Sequence, residues 1–176
     1  MSIEQQTSAT AKPRLMTANE RVLKYGKPAS IVGGALAPDA KWERACIVRA
    51  MVPWPGKDGV RMIRVHRDVR DQFIALFTAW RDANLLHLVV TNDGTVNIRM
   101  KRGKEKSLDL RDLSTHAFGA AIDINAKWNP LNAKPAAIGC EGSVVELVPI
   151  ANRLNFVWGG DFSTVDAMHF EVGVAT

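Results

Sequence analysis

Between Asp68 and Leu85 the apolar residues Val69, Phe73, Leu76, Phe77 and Trp80 recur at three- and four-residue spacing, which predicts an amphipathic helix with one stripe on a core. The runs ACIVRAMV and GVRMIRVH flank a turn-forming stretch from Pro53 to Gly59 and predict paired strands. Further on, LLHLVV and TVNIRM lie on either side of Asn92-Asp93-Gly94, a hairpin signal. A second helix is expected between Ser143 and Leu154, with Pro149 in its first turn or at a kink. Strands are expected around Phe156 to Gly159 and Met168 to Val172. Hairpins and helices without regular βαβ alternation predict an α+β fold, a small antiparallel sheet with packed helices.

Residues 1–18 are rich in Ser, Thr, Gln and Ala without periodicity and read as a flexible N-terminal arm, leaving a single domain over residues 19–176. From Asn19 to Lys41 the chain carries Gly26, Pro28, Gly33, Gly34 and Pro38, so mostly loop is expected there, with a short helix before Gly26.

Composition narrows the class. With 176 residues, 47% hydrophobic and 23% charged, one globular domain is expected, as a monomer. No apolar run is long enough for a transmembrane segment. The polar start has no apolar h-region, so no signal peptide is expected: synthesis is cytoplasmic, and action elsewhere needs another route of release. The net charge of +5 favours an anionic partner. The densest basic cluster, Lys101, Arg102, Lys104 and Lys106, is too sparse for a nucleic-acid face and reads as a solvated loop. Cys46 and Cys140 belong to no metal or disulfide spacing and are expected to be small buried hydrophobes.

The chemistry concentrates in Ser114-Thr115-His116-Ala117-Phe118-Gly119-Ala120-Ala121-Ile122-Asp123, in Trp158-Gly159-Gly160-Asp161, and in Asp166-Ala167-Met168-His169-Phe170-Glu171. Two imidazoles and one carboxylate, with a fourth position open to water, form the ligand set of a catalytic zinc site. On a helix His116 and Asp123 would stand roughly 10 Å apart along the axis, and on a flat strand they would face opposite sides. A bend is required between them, and Gly119 is where the backbone makes one most cheaply. His169 must arrive from a separate segment, delivered by the Gly159-Gly160 turn and a returning strand.

The order SxHxxGxAxD followed by DxMHFE resembles the zinc peptidase family of VanY- and VanX-type D-alanyl-D-alanine carboxypeptidases and phage L-alanyl-D-glutamate endolysins. The signalling domain of Hedgehog is similar to these in fold. The resemblance implies a Hedgehog/DD-peptidase-like fold in which His116, Asp123 and His169 hold Zn2+ and Asp166 is the general base. Aspartate rather than glutamate at that position favours the endolysin branch. The family's upstream arginine falls on Arg99 or, second, Arg102, within Arg99-Met100-Lys101-Arg102-Gly103, as stabiliser of the oxyanion. Ser114 and Arg102 are candidates for substrate binding, and Glu171 or Asp161 for orienting a ligand imidazole.

His66 and His87 lack this context and read as structural. Ser114 beside His116 has no GxSxG elbow, so a serine hydrolase is not expected. Phe156 and Trp158 read as core. The resemblance implies hydrolysis of a stem-peptide amide of bacterial peptidoglycan, with L-alanyl-D-glutamate cleavage leading. A D-alanyl-D-alanine carboxypeptidase and a non-catalytic zinc-stabilised wall-binding module are the alternatives. Without a signal, release through a lesion made by a holin-type partner is expected.

Overall fold

The computed structural model of the chain describes residues 12–176. Of the arm expected over residues 1–18, residues 1–11 lie outside the described residues. The rest is not an arm: Arg14 exchanges backbone hydrogen bonds with Val174 at 3.0 and 2.9 Å, and Met16 is buried. Helix α1, Ala18–Tyr25, then starts on a reciprocal cap, in which the Thr17 hydroxyl accepts from Glu20 N–H and the Glu20 carboxylate accepts from Thr17 N–H.

The segment expected to be mostly loop after Gly26 is a hairpin of β1, Ala29–Val32, and β2, Ala35–Pro38. Gly33 and Gly34 turn it with φ of 57° and 77°, the left-handed pair of a tight two-residue turn. Helix α2, Ala40–Cys46, is capped by Asp39, whose Oδ1 accepts from Lys41 and Trp42 N–H. This helix removes Ala45 and Cys46 from the expected strand. Neither cysteine is fully buried: Cys46 ends α2 half-buried, and Cys140 is exposed in a turn.

Strands β3, Ile47–Pro53, and β4, Val60–His66, pair antiparallel from Ile47 opposite His66 to Pro53 opposite Val60. A 3-10 turn leads into α3, Arg70–Asp82, whose Phe73, Leu76, Phe77 and Trp80 are all fully buried. Phe73 packs edge-on against Phe156 (ring centroids 5.1 Å apart) and Trp80 against Phe170 (5.8 Å). The helical stripe read from the sequence thus joins the β3–β4 hairpin to the main sheet.

That sheet contains β5, Asn92–Gly94, β6, Ala121–Ile124, β7, Phe156–Trp158, and β8, His169–Val172, in the order β5-β6-β8-β7, all antiparallel. Helix α4, Val148–Arg153, precedes β7 with Pro149 in its first turn. Asn92-Asp93-Gly94 is itself the edge strand rather than a hairpin turn. Asn125 overrides the local turn preference by accepting Val90 and Thr91 N–H on its side-chain oxygen, and Asp93 accepts Ala126 N–H. The architecture is α+β with small antiparallel sheets. No helix among the described residues is long and apolar enough to cross a membrane.

His66 is buried, with Nε2 3.3 Å from the Tyr25 carbonyl and Nδ1 accepting from Asp68 N–H. Burial pushes its pKa below the ordinary histidine value, partly offset by the carboxylate of Asp68. It is a structural histidine, and His87 is exposed.

Candidate active site

Ser114 caps a 3-10 turn, Thr115–Phe118, with its hydroxyl accepting from His116 N–H. The turn ends at Gly119 with φ of 67°, supplying the bend that brings Asp123 back on β6. A Cβ at Gly119 would stand 2.8 Å from the His66 backbone nitrogen and 2.8 Å from Ile47 Cδ1. Gly119→Ala is therefore expected to lower stability by about 1–3 kcal/mol in urea unfolding, and a wild-type midpoint would show that the turn relaxes freely.

Strands β6 and β8 place Asp123 directly opposite His169. The approach to His169 is set by Gly159, whose carbonyl accepts Asp166 N–H at 2.9 Å, while the Asp166 carbonyl accepts His169 N–H at 3.0 Å. A Cβ at Gly159 would collide with the Asp166 carbonyl at 2.3 Å. Glycine is the residue that admits this close return of the chain.

Three donor atoms converge as a result. His116 Nε2 lies 3.1 Å from His169 Nδ1 and 3.1 Å from Asp123 Oδ1, and His169 Nδ1 lies 2.9 Å from the same oxygen. Atoms about 2.0–2.1 Å from a tetrahedral zinc stand roughly 3.3 Å apart, so the triangle is close to that size. The far side of each ring sets its tautomer: His116 Nδ1 faces the Thr95 carbonyl at 3.1 Å, and His169 Nε2 faces Glu171 Oε2 at 2.9 Å. With those N–H groups donated outward, the two facing nitrogens present lone pairs to each other and to a carboxylate oxygen. Such a cluster calls for a cation between them, and these three residues form a group able to hold a metal ion.

The same carboxylates favour positive charge at this point: burial opposes charge on His169, yet its hydrogen bonds to the Asp123 and Glu171 carboxylates outweigh burial and push its pKa up to about 10, so the cluster holds either a proton on His169 or a metal ion that displaces it. Burial likewise opposes charge on Asp123, but hydrogen bonds to His116 and His169 hold its carboxyl far below the usual range. Of the two carboxylates expected to orient an imidazole, Glu171 does so. Asp161 instead pairs with Lys12 at 2.5 Å on the surface. Glu171→Gln weakens that orientation and is expected to lower metal affinity roughly 10- to 100-fold in chelator competition; unchanged affinity would mean that Glu171 does not act through His169.

Asp166 sits beside this cluster without belonging to it. Its Oδ1 is buried with no hydrogen-bond partner, and burial pushes its carboxyl above the ordinary aspartate value against the lowering effect of His169. A cavity of about 520 Å³ is lined by Asp166, His169, Glu171, Ser114, Arg99 and Arg102, with Arg21 and Lys101 also on its wall. Arg99 is half-buried and Arg102 exposed. The Arg99 carbonyl accepts Ser114 N–H at 3.0 Å, and the Asp112 carbonyl accepts Lys101 N–H at 2.8 Å, so the arginine run is pinned beside the turn that carries His116. Arg99, Arg102 and Leu131 also line a second cavity, with Leu36, Ile98 and Met100. Trp158 is core, its indole N–H donated to the Ala167 carbonyl.

Two contributors were missed from the sequence. The Thr95 carbonyl is main chain and carries no side-chain signal, and Arg21 lies on a helix far from any motif.

Over residues 109–172, little more than a third of the chain, the sequence matches a family described as D-alanyl-D-alanine carboxypeptidase. The matched stretch contains Ser114, His116, Asp123, Asp166, His169 and Glu171, and excludes Arg21, Arg99 and Arg102. No curated protein sequence and no solved structure matches the chain.

Proposed function

We propose that the chain is a zinc-dependent peptidase that hydrolyses an amide bond in the stem peptide of bacterial peptidoglycan. The observation that carries this reading is the convergence of two imidazole nitrogens and one carboxylate oxygen beside the buried, unpartnered oxygen of Asp166. The family match over the same residues supports it. Bound by His116, Asp123 and His169, zinc would supply Lewis-acid polarisation of the scissile carbonyl and an acidified water. Asp166, raised in pKa by burial, takes the proton of the attacking water and passes it to the leaving amine. Arg99 faces the charge that develops on the carbonyl oxygen, while Ser114 and Arg102 line the substrate's path.

The leading bond is L-alanyl-D-glutamate, cut as an endopeptidase. Aspartate at position 166 favours it, and a second cavity on the far side of Arg99 and Arg102 supports it as a place for further chain. The description of the matched family favours the second reading, a D-alanyl-D-alanine carboxypeptidase. Digestion of purified peptidoglycan with identification of new termini by mass spectrometry separates them. A new N-terminal D-glutamate supports the first, released D-alanine supports the second, and intact wall material after incubation with the zinc-loaded protein contradicts both. Within this reading, Arg99→Ala is expected to keep zinc and lose turnover roughly 10²- to 10³-fold; a loss confined to Arg102→Ala would transfer the role to Arg102.

A further inference from the structure

We propose that Arg21 anchors a carboxylate of the substrate in the cleft, a role that rests on the peptidase reading above. Arg21 comes from α1, outside the stretch shared with the matched family. Arg21 is 5% exposed and lines the same cavity as Asp166, His169 and Glu171. A guanidinium has five N–H donors in a planar fork. Among the described residues Arg21 uses one of its terminal nitrogens, Nη1, to donate to the Met16 carbonyl at 2.8 Å, and its buried Nε has no partner. It makes no ion pair among the described residues.

A buried guanidinium without a carboxylate is costly, and such groups are retained where a partner completes them. The cavity's own acids leave its N–H groups unfilled. Glu171 is close enough for the Arg21 charge to help hold its carboxyl low, but it makes no hydrogen bond to Arg21 and is engaged by His169 at 2.9 Å, Asp161 is paired with Lys12, and Asp166 stands at the reacting end. Arg99, Lys101 and Arg102 add further positive charge to the same wall. The ligand that fits is an anion, and in a stem peptide the anions near a scissile amide are carboxylates. The planar fork matches a carboxylate through two parallel hydrogen bonds, which a lysine cannot reproduce.

Two sources share this chemistry: the C-terminal carboxylate of a D-alanyl-D-alanine end, and the free carboxylate of the glutamyl residue next to an L-alanyl-D-glutamate bond. The test uses zinc-loaded protein and four peptides, each bond presented once with the carboxylate free and once as the carboxamide. The wild type is expected to cleave one acid roughly 10- to 100-fold better in kcat/KM than its amide. Arg21→Met is expected to remove that preference, raising KM for the acid while leaving the amide within about threefold, as an interaction made in both ground and transition states requires. The peptide pair that shows the preference identifies the source.

Arg21→Lys keeps the charge and is expected to restore only part of the preference. Equal cleavage of acid and amide by the wild type overturns the proposal whether or not the variants fold. An equal loss on acid and amide in Arg21→Met also overturns it and leaves Arg21 a structural residue. Cleavage of none of the four peptides by the wild type instead overturns the peptidase reading, and the proposal with it.

Discussion

Asp166→Asn is expected to retain its zinc and its fold while losing hydrolysis by on the order of 10²- to 10⁴-fold, the range for removing a positioned general base. Asn preserves the size and an oxygen but cannot accept the proton. The burial that raises the Asp166 pKa gives two further signatures. A base works in its ionised form, so with Asp166 in that role wild-type turnover is expected to fall as pH drops through that raised value, and this acid limb to be absent from the residual activity of the variant. A raised folded-state pKa also means that ionised Asp166 costs stability above that pH, so the Tm of Asp166→Asn at neutral pH should equal or exceed that of the wild type. Equal wall clearance by variant and wild type would remove Asp166 from the role.

His116→Ala or His169→Ala is expected to reduce metal content from about one zinc per chain to near none. His116, Asp123 and His169 come from a 3-10 turn, a strand and a second strand, so a metal ion bound by them would tie together segments far apart in the chain. A ligand present at about a thousand times its Kd stabilises the folded state by about 4 kcal/mol. A chelator should therefore lower the wild-type melting temperature clearly and leave either variant's almost unmoved. Full zinc occupancy in both variants would remove these residues from the ligand set.

Much of the fold and the site could be read from residue types because local geometry and long-range placement agreed. The stripe Phe73, Leu76, Phe77 and Trp80 is buried as its spacing requires. The bend between His116 and Asp123 falls at Gly119, where a left-handed φ and the closeness of the His66 backbone both demand a glycine. The misreadings have physical causes of their own. Asn92-Asp93-Gly94 has the composition of a turn, but Asn125, thirty-odd residues on, satisfies the preceding backbone N–H groups and lays the tripeptide along β6. Gly33-Gly34 was a hairpin signal obscured by the surrounding prolines and glycines. Cys46 and Cys140 followed the preference of their residue type less than the ends and turns they occupy.

The parts of the site that were not legible act through main chain or through tertiary position. The Thr95 carbonyl sets the His116 tautomer, yet any residue at position 95 carries that oxygen. Arg21 reaches the cleft from α1, which packs against the 3-10 turn that carries His116. Glu171 was readable as an imidazole partner, but only the pairing of β6 with β8 distinguishes it from Asp161.

A single metal held by His116, Asp123 and His169 is expected to be required for cutting the stem peptide. Stripping the wild-type protein with a chelator, titrating zinc back, and following both zinc binding by calorimetry and peptide release from peptidoglycan in the same samples measures this. No release is expected from the stripped protein, and release should rise in parallel with binding to a plateau at one equivalent. Release from metal-free protein at the full rate, or one equivalent bound with no release from any wall preparation, would contradict it.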